Sequence, residues 1–180
     1  PLVATHPIQF LEREDFMEIP AKKFFRVTPG QEVRLRGACL FTCTHVEKDT
    51  AGAVTAIHGT YDPESKGGNS PDGRKVKGTI HWVCAKTAIQ FPVRLYDRLF
   101  TVPDPMGDET KDFLAFINPD SLKTVQAYGE PALADAQPGE KFQFERVGYF
   151  CADAIDSKPQ APVFNRTVTL KDSWGKEAKA

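Results

Sequence analysis

Three arginines near the start of the chain have side chains suited to binding a phosphate or a base edge. Arg34 and Arg36 flank Leu35, and Arg26 precedes Arg34 by eight residues. Each guanidinium presents a planar fork of hydrogen-bond donors and can stack on a π-face. If residues 33–46 form one strand, Arg34 and Arg36 project from the same face of it. The same spacing is more common on a solvated strand face, so both interpretations stay open at this point.

A second candidate segment, residues 141–150, alternates aromatic rings with polar and charged groups. Its sequence is KFQFERVGYF, which contains Gln143 and Arg146. Such a mixture suits single-stranded RNA, whose unpaired bases stack on rings and present their Watson–Crick edges to side chains. The alternative is that the phenylalanines of this segment belong to the core, which is the commoner role of that residue type.

The remaining chemistry-bearing residues are too scattered for a metal or catalytic site. Cys39 and Cys43 would lie ~13 Å apart on one strand, whereas the ligands of a single zinc ion converge within about 4 Å. The chain contains neither a phosphate-binding glycine motif nor a nucleophile and base at a recognisable spacing. We therefore predict no metal ligand and no catalytic residue in this sequence, and we expect its cysteines to be reduced thiols.

The composition predicts a globular protein with an uneven charge distribution. Hydrophobic residues make up 41% and charged residues 26%, and no apolar run approaches the ~20 residues that cross a bilayer. We expect no membrane segment and a cytoplasmic location. The net charge is −1, yet residues 22–36 hold five basic residues and one acidic, while residues 103–140 hold two basic and eight acidic. Such a split lets one side of a protein attract a phosphate backbone.

The elements that position these residues are predicted to be short β-strands. Fourteen prolines and thirteen glycines divide the chain into short segments rich in Val, Thr, Phe and Ile. Short helical turns are predicted at residues 112–117, capped by Asp112, and at residues 131–136. A series of seven or eight short strands favours barrels over a βαβ sheet. The predicted strands are residues 33–46, 54–61, 75–83, 92–100, 121–128 and 162–171, with a hairpin-like pair at 141–152 around Gly148 and a turn at 49–52 joining the first two.

Four motifs in order resemble the C-terminal anticodon-binding region of the glutaminyl-tRNA synthetases. They are IHWV at residues 80–83, VRLYDRLF at 93–100, FQFER at 142–146 with GYF at 148–150, and VFNRTV at 163–168. Each motif alone is weak, but four in this order and spacing are specific, and the fit runs from about residue 10 to residue 174. Eukaryotic-type glutamyl-tRNA synthetases have a similar region, but the last two motifs look more like the glutaminyl branch.

The resemblance implies a mainly β fold with two small closed β-barrels, one proximal and one distal to the catalytic body, and a few short helices. Residues 1–25 would start the proximal barrel, residues 26–100 would form the distal barrel, and residues 101–180 would return to the proximal barrel and end in a C-terminal tail. Family members have further proximal strands upstream of the segment that begins here at Pro1. We therefore expect the proximal barrel to lack those strands, and either to leave an open edge or to have the missing strand replaced by a neighbour.

The resemblance also implies a role for each of five side chains. The Arg-x-Arg pair that lies at the first anticodon base in the family maps onto Arg34 and Arg36. The side chains that line the pocket of the second base map onto Gln143 and Arg146. Arg26 maps onto the approach to the third base.

This sequence departs from the family pattern just before Arg26. The family has Gln and Lys at positions that here hold Lys23 and Phe25. The departure bears on the third-base contact alone.

The chemistry of the second-base pocket makes a structural demand. Gln carries a donor and an acceptor that match the alternating edge of a uracil, and Arg can serve an acceptor-rich edge or a phosphate. In a regular strand, however, Gln143 and Arg146 point to opposite faces. A shared pocket therefore predicts a bulge or strand end near Glu145 or Arg146.

The resemblance implies that the parent protein is a class I, ATP-dependent glutamine–tRNA ligase. The HIGH-like and KMSKS-like motifs of its ATP site do not occur in this sequence, so this segment would read the tRNA and need no cofactor. The implied partners are the anticodon stem-loop of tRNA(Gln) and the catalytic domain of the same polypeptide, and we expect a monomer. Two alternatives are a barrel that holds a small ligand in an apolar cavity and a purely structural docking barrel without a basic cluster around the three arginines.

Overall fold

The computed structural model describes residues 8–67, 70 and 72–170, and in these ranges the fold is mainly β, as predicted. None of the helices in these ranges has the length and hydrophobicity of a membrane-spanning segment. The 3-10 helices span Arg13–Asp15, Pro63–Ser65, Phe113–Phe116 and Pro131–Asp135. The strands are β1 (Gln9–Phe10), β2 (Glu32–Leu35), β3 (Leu40–Lys48), β4 (Val54–Asp62), β5 (Thr79–Ile80), β6 (Val83–Cys84), β7 (Ile89–Tyr96), β8 (Leu122–Gly129), β9 (Lys141–Phe144), β10 (Gly148–Ala152) and β11 (Phe164–Thr169).

The chain divides into two compact units, the first ending at Lys86 and the second beginning at Thr87. In the first unit, a four-stranded sheet has the order β4-β3-β2-β5, and β1 pairs separately with β6. All neighbours in this unit are antiparallel except β2 and β5, which run parallel, with Arg34 opposite Thr79. The core of the unit is formed by Val27, Val33, Leu35, Ala38, Cys43 and Ile80.

The single strand predicted over residues 33–46 is wrong, because the chain turns back between β2 and β3. Gly37 has a φ of 69°, a left-handed conformation that costs glycine little. The amide of Ala38 donates to the carbonyl of Leu35 at 3.0 Å, and Arg34 then pairs with Leu40. In the sequence, Cys39 and Phe41 continue the spacing of Val33 and Leu35, which conceals the reversal, whereas the buried positions change from 33 and 35 to 38 and 40.

The predicted hairpin between β3 and β4 is confirmed. The carboxylate of Asp49 accepts hydrogen bonds from the amides of Ala51 and Ala53, and Gly52 has a φ of 82°. Side-chain capping of this kind is the usual reason that Asp begins a tight turn. The strand predicted over residues 75–83 is shorter than expected, because only β5 and the start of β6 are extended and paired there.

The second unit is a five-stranded sheet in the order β8-β7-β11-β10-β9. β11 runs parallel to β7, with Phe164 opposite Val93, and the other neighbours are antiparallel. The predicted strands at residues 121–128 and 162–171 are confirmed as β8 and β11. The strand predicted over residues 92–100 begins three residues earlier and ends at Tyr96. Residues before a proline favour extended backbone, which lets β7 begin ahead of Pro92.

The two predicted helical turns of the second unit are confirmed as 3-10 helices. Asp112 caps the first of them, because its carboxylate accepts a hydrogen bond from the amide of Leu114 at 2.9 Å. The second helix, Pro131–Asp135, begins with a proline, whose missing amide donor is not needed at that position.

Five phenylalanine rings fill the core of the second unit. The ring centroids of Phe144 and Phe150 lie 4.3 Å apart, and those of Phe91 and Phe164 lie 4.9 Å apart. Phe142 meets Phe164 edge-on at 5.5 Å. Aromatic pairs at these separations contribute beyond their buried area. The interpretation that the phenylalanines of the second candidate segment are core residues is confirmed.

The described strands form open sheets. β4 and β5 are the edges of the larger sheet in the first unit, and β8 and β9 are the edges in the second unit. No closed barrel forms among the described residues, so barrel closure stays a prediction. The assignment of residues 1–25, 26–100 and 101–180 to proximal and distal barrels also stays a prediction, and the tail expected at the C-terminus lies outside the described residues.

A polar network built on Arg94 joins two of the sequence motifs. One arm of its guanidinium binds the carboxylate of Asp153 at 3.0 Å, and the other binds Asp156. Asp153 also accepts hydrogen bonds from the amides of Asp156 and Ile155 and from the side chain of Asn165 at 2.6 Å. The Asp156 amide, the Asn165 side chain and the Ile155 amide, with the charge of Arg94, lower the pKa of Asp153 to about 2. These motif residues therefore have a structural role.

The depressed pKa of Asp153 predicts an acid-sensitive contribution to stability. Its stabilising effect is complete above the unfolded-state pKa of about 3.9 and is lost as the pH falls towards 2. We expect Asp153→Asn to lower the free energy of unfolding by ~1–2 kcal/mol at pH 7 and to flatten its decline below pH 5. Urea denaturation between pH 7 and pH 2.5 measures both effects. Exposed Asp120→Asn is the control, and parallel curves for wild type and Asp153→Asn would contradict the assignment.

The aromatic core predicts that one ring controls the stability of the second unit. Phe164 is fully buried and contacts three other rings, so Phe164→Ala should cost ~3–5 kcal/mol of unfolding free energy. Phe113 is 43% exposed, and Phe113→Ala should cost less than about 1 kcal/mol. Thermal and urea unfolding compare the two variants, and equal losses would show that the rings do not form the core.

Candidate nucleic-acid interface

Arg34 lies on β2 between two buried residues, Val33 and Leu35. Because neighbouring side chains on a strand alternate, Arg34 belongs to the face of β2 opposite the core. Its backbone amide donates to the carbonyl of Gly78 at 2.8 Å. The parallel pairing with β5 therefore fixes the position of Arg34.

Arg36 lies just beyond the end of β2, in the turn, and it is exposed. Its backbone is held at both ends: the amide donates to the carbonyl of Ile80 at 3.0 Å, and the carbonyl accepts from the indole nitrogen of Trp82 at 3.0 Å. The IHWV motif thus positions this arginine. The expectation that Arg34 and Arg36 share one continuous strand is wrong, because strand β2 ends between them.

Arg26 has a structural partner that the sequence did not indicate. Its Nη1 donates to the carbonyl of Glu14 at 2.9 Å and lies 3.3 Å from the carboxylate of Asp15, whose side chain is only 4% exposed. A buried carboxylate requires a partner of opposite charge. The guanidinium is itself 36% exposed and lies 5.8 Å from the ring of Phe24. A guanidinium has five N–H donors, so this pairing leaves part of the fork for a ligand.

Residues 78–82 contact the backbone of Arg34 and Arg36 and that of Phe25, the residue before Arg26. The carbonyl of Gly78 accepts a hydrogen bond from the amide of Arg34, and the carbonyl of Ile80 accepts one from the amide of Arg36. A Cβ atom on residue 78 would lie 2.4 Å from the carbonyl oxygen of Phe25, so the residue before Arg26 packs directly on this glycine. Glycine at position 78 allows this close approach.

The face of β2 that carries Arg34 also carries a carboxylate that forms an ion pair. Glu32 lies two residues before Arg34 and binds Arg74 through both oxygens, at 2.8 and 2.9 Å. Arg74 also pairs with Asp62 at 3.0 Å and Asp72 at 2.8 Å, and these partners raise its pKa. The pairing offsets part of the negative charge of Glu32, but one guanidinium serves three carboxylates, so the group keeps a net negative charge. This role of Arg74 was not predicted.

The break predicted near Glu145 or Arg146 is confirmed. β9 ends at Phe144, and β10 begins at Gly148. Between them Arg146 has a φ of 65°, and the amide of Val147 donates to the carbonyl of Phe144 at 3.0 Å. Arg146 is therefore a turn residue, and the alternation of a strand does not force it away from the face of Gln143.

Gln143 lies exposed on β9 between the half-buried rings of Phe142 and Phe144. Its partner across the hairpin is Tyr149, which is 45% exposed. Directly opposite residues of an antiparallel pair project from the same face. The exposed aromatic ring beside Gln143 is thus Tyr149. The sequence could have indicated it, because Tyr149 lies between two positions, 148 and 150, that face the core.

The cysteines show no sign of reactive or metal-binding chemistry. Burial raises the pKa of the Cys39 and Cys43 thiols, which lowers the fraction of nucleophilic thiolate. Within residues 8–67, 70 and 72–170, no cluster of three or more His, Cys, Asp or Glu side chains could hold a metal ion.

The five predicted side chains divide between the two units. Arg26, Arg34 and Arg36 lie in the first unit, and Gln143 and Arg146 lie in one hairpin of the second. The structure therefore groups them as a trio and a pair. Their assignment to particular anticodon bases stays a prediction.

Comparison with known proteins identifies relatives over most of the chain. A relative from Cupriavidus metallidurans named glutamine–tRNA ligase is 56% identical over 168 residues, which are 93% of this chain and 29% of that relative. Proteins of the same name from Ralstonia nicotianae and Vibrio parahaemolyticus are each 54% identical over 93% of this chain, which corresponds to 29% and 30% of their own lengths. The chain thus spans less than a third of the curated relatives that it matches.

Two family models also match, in succession along the chain. Both are described as tRNA synthetases class I (E and Q), anti-codon binding domain; one covers residues 3–62 and the other residues 79–153. The first range includes all three arginines, and the second includes Gln143 and Arg146. The chain belongs to the anticodon-binding domain family of the class I tRNA synthetases (E and Q).

Proposed function

We propose that this chain recognises the anticodon of tRNA(Gln) on behalf of a catalytic domain in the same polypeptide. The observation that carries the proposal is that residues 78–82 fix the backbone of Arg34, of Arg36 and of Phe25 beside Arg26, in a chain that resembles glutamine–tRNA ligases over 93% of its length. The Glu32 carboxylate on the same face is already paired with Arg74. The outer face of β2 therefore presents the Arg34 guanidinium beside a carboxylate that already has a cationic partner.

In this proposal the five side chains are distributed over the three bases of the anticodon. Arg34 and Arg36 bind the first base, and Gln143 and Arg146 bind the second. Arg26 approaches the third base with the N–H donors that do not bind Asp15. Splayed-out bases expose complete hydrogen-bonding edges. A wrong base would leave buried donors or acceptors without partners, which costs about 1–3 kcal/mol at each position.

The parent protein would then be an ATP-dependent glutamine–tRNA ligase. ATP and glutamine would bind to the catalytic domain, so the present segment would contribute tRNA recognition and require no cofactor. We also propose a cytoplasmic location, where tRNA is charged, and a monomeric state. In this proposal the strands of each unit close into barrels, one distal and one proximal to the catalytic body.

The alternative of a barrel with a small ligand inside fits the structure poorly. Such a barrel needs an open apolar cavity, whereas five phenylalanine rings occupy the interior of the second unit. The purely structural alternative predicts no basic cluster, yet Arg34 and Arg36, two residues apart, are both held by the backbone of residues 78–82. Both observations favour a filled scaffold with an outer recognition surface.

Removal of single recognition side chains should weaken RNA binding without unfolding the protein. We expect Arg34→Ala and Gln143→Ala each to weaken binding of the glutamine tRNA anticodon stem-loop by about 5- to 100-fold, which corresponds to ~1–3 kcal/mol. Fluorescence anisotropy titrations measure the affinity, and circular dichroism verifies the fold. The controls are Arg98→Ala and Gln126→Ala, which remove exposed side chains of the same types. Unchanged affinity in both recognition variants would refute the proposal.

Charge and amide contacts should differ in their response to salt. Each arginine that contacts a phosphate releases counterions, so the combined Arg34→Ala and Arg36→Ala variant should lower the slope of log Kd against log salt by about 0.7–0.9 for each phosphate contact that it removes. Gln143→Ala removes a neutral group and should weaken binding with an unchanged slope. Titrations between 50 mM and 300 mM salt compare the variants. Identical slopes for all three proteins would exclude the arginines from the phosphate contacts.

A further inference from the structure

Phe25 is an aromatic side chain that the core does not use. It is 45% exposed, although its neighbour two residues on, Val27, is fully buried. It lies in the basic segment KKFFR at residues 22–26. An isolated exposed ring needs no explanation, but this ring has a charged partner and a defined position.

The partner is Lys77, whose ammonium nitrogen lies 5.0 Å from the centroid of the Phe25 ring. A cation at this distance is attracted by the negative face of the ring. The contact orients an aromatic face and a positive charge together at the surface. A nucleotide requires the same two groups: a π-face for its base and a cation for its phosphate.

The position is fixed next to Arg34. The carbonyl of Phe25 packs on Gly78, where a Cβ atom would lie within 2.4 Å of it. The carbonyl of Gly78 in turn accepts the amide of Arg34 at 2.8 Å, and Lys77 directly precedes this glycine. Phe25 and Lys77 are therefore attached to the same short stretch of backbone that positions Arg34.

We propose that Phe25 and Lys77 form a stacking site for one of the three anticodon nucleotides. The base stacks on the face of the Phe25 ring opposite Lys77, and the ammonium of Lys77 neutralises the adjoining phosphate. This inference rests on the proposed function, since the anticodon loop supplies the unpaired base.

The first test compares variants of the full chain in binding the glutamine tRNA anticodon stem-loop. Phe25→Ala should weaken binding about 5- to 100-fold, the range that corresponds to base–aromatic stacking, while Phe25→Trp should stay within about threefold of wild type. Lys77→Met should weaken binding less and lower the salt slope by about 0.7–0.9. Phe113→Ala and Lys75→Ala are the matched controls, and both should bind as wild type does.

The second test removes the base instead of the ring. Abasic stem-loops lacking each of the three anticodon bases in turn are titrated against wild type and Phe25→Ala. At one position the loss of the base should weaken binding by wild type but not further weaken binding by Phe25→Ala. Coupling of this kind identifies direct contact, whereas a folding defect would lower every affinity equally.

The outcomes separate this inference from the function on which it rests. If Arg34→Ala weakens binding and Phe25→Ala does not, the stacking site is wrong and the proposed function stands. Additive losses at all three positions would likewise overturn the stacking site. If the wild-type chain does not bind the stem-loop, both proposals fail. A circular dichroism spectrum of Phe25→Ala that matches wild type, together with retained binding by Phe25→Trp, excludes misfolding as the cause of a loss.

Discussion

The parallel pairing of β5 with β2 is the constraint on which the recognition surface depends. Two carbonyls of the later segment, those of Gly78 and Ile80, accept the amides of Arg34 and Arg36. In the same segment, Gly78 packs against the carbonyl of Phe25, and the indole nitrogen of Trp82 donates a hydrogen bond to the carbonyl of Arg36. Residues that lie more than fifty positions apart in the sequence thus acquire fixed backbone positions. The side chains proposed to bind RNA then need only adjust their rotamers. Preorganisation of this kind reduces the entropy lost on binding.

The second unit solves a similar problem with a hairpin. Its aromatic core anchors β9 and β10, because Phe142, Phe144 and Phe150 alternate with residues that face outward. The turn at Arg146 then frees that side chain from the strict alternation of a strand. A rigid core and a left-handed turn therefore place an amide and a guanidinium on one short hairpin. The Arg94 network connects β7 and β11 with residues 153–156 and gives these motif residues a structural role.

Much of the local structure could be predicted because it depends on neighbouring residues. The Asp49 turn and the Asp112 cap are short-range hydrogen-bonding patterns that residue type alone indicates. The reversal at Gly37 could not be predicted from apolar alternation, because Cys39 and Phe41 continue the spacing of Val33 and Leu35 through the turn. Contacts between residues far apart in the sequence also could not be predicted from local sequence patterns. Arg94 and Asp153 are 59 residues apart, and nothing near either of them in sequence indicates the pairing.

The identities of the candidate site residues came from residue chemistry and resemblance, whereas their surroundings came from the structure. Sequence alone did not reveal two ion pairs, Arg26 with the buried Asp15 and Arg74 with Glu32. It also did not reveal that the ammonium of Lys77 lies over the ring of Phe25. The most direct test of RNA recognition is an NMR titration of the isotopically labelled chain with the glutamine tRNA anticodon stem-loop, following side-chain N–H signals. We expect the guanidinium signal of Arg34 and the amide signal of Gln143 to shift together as RNA is added. Shifts confined to other residues, with both of these signals unmoved at saturation, would contradict anticodon recognition by these side chains.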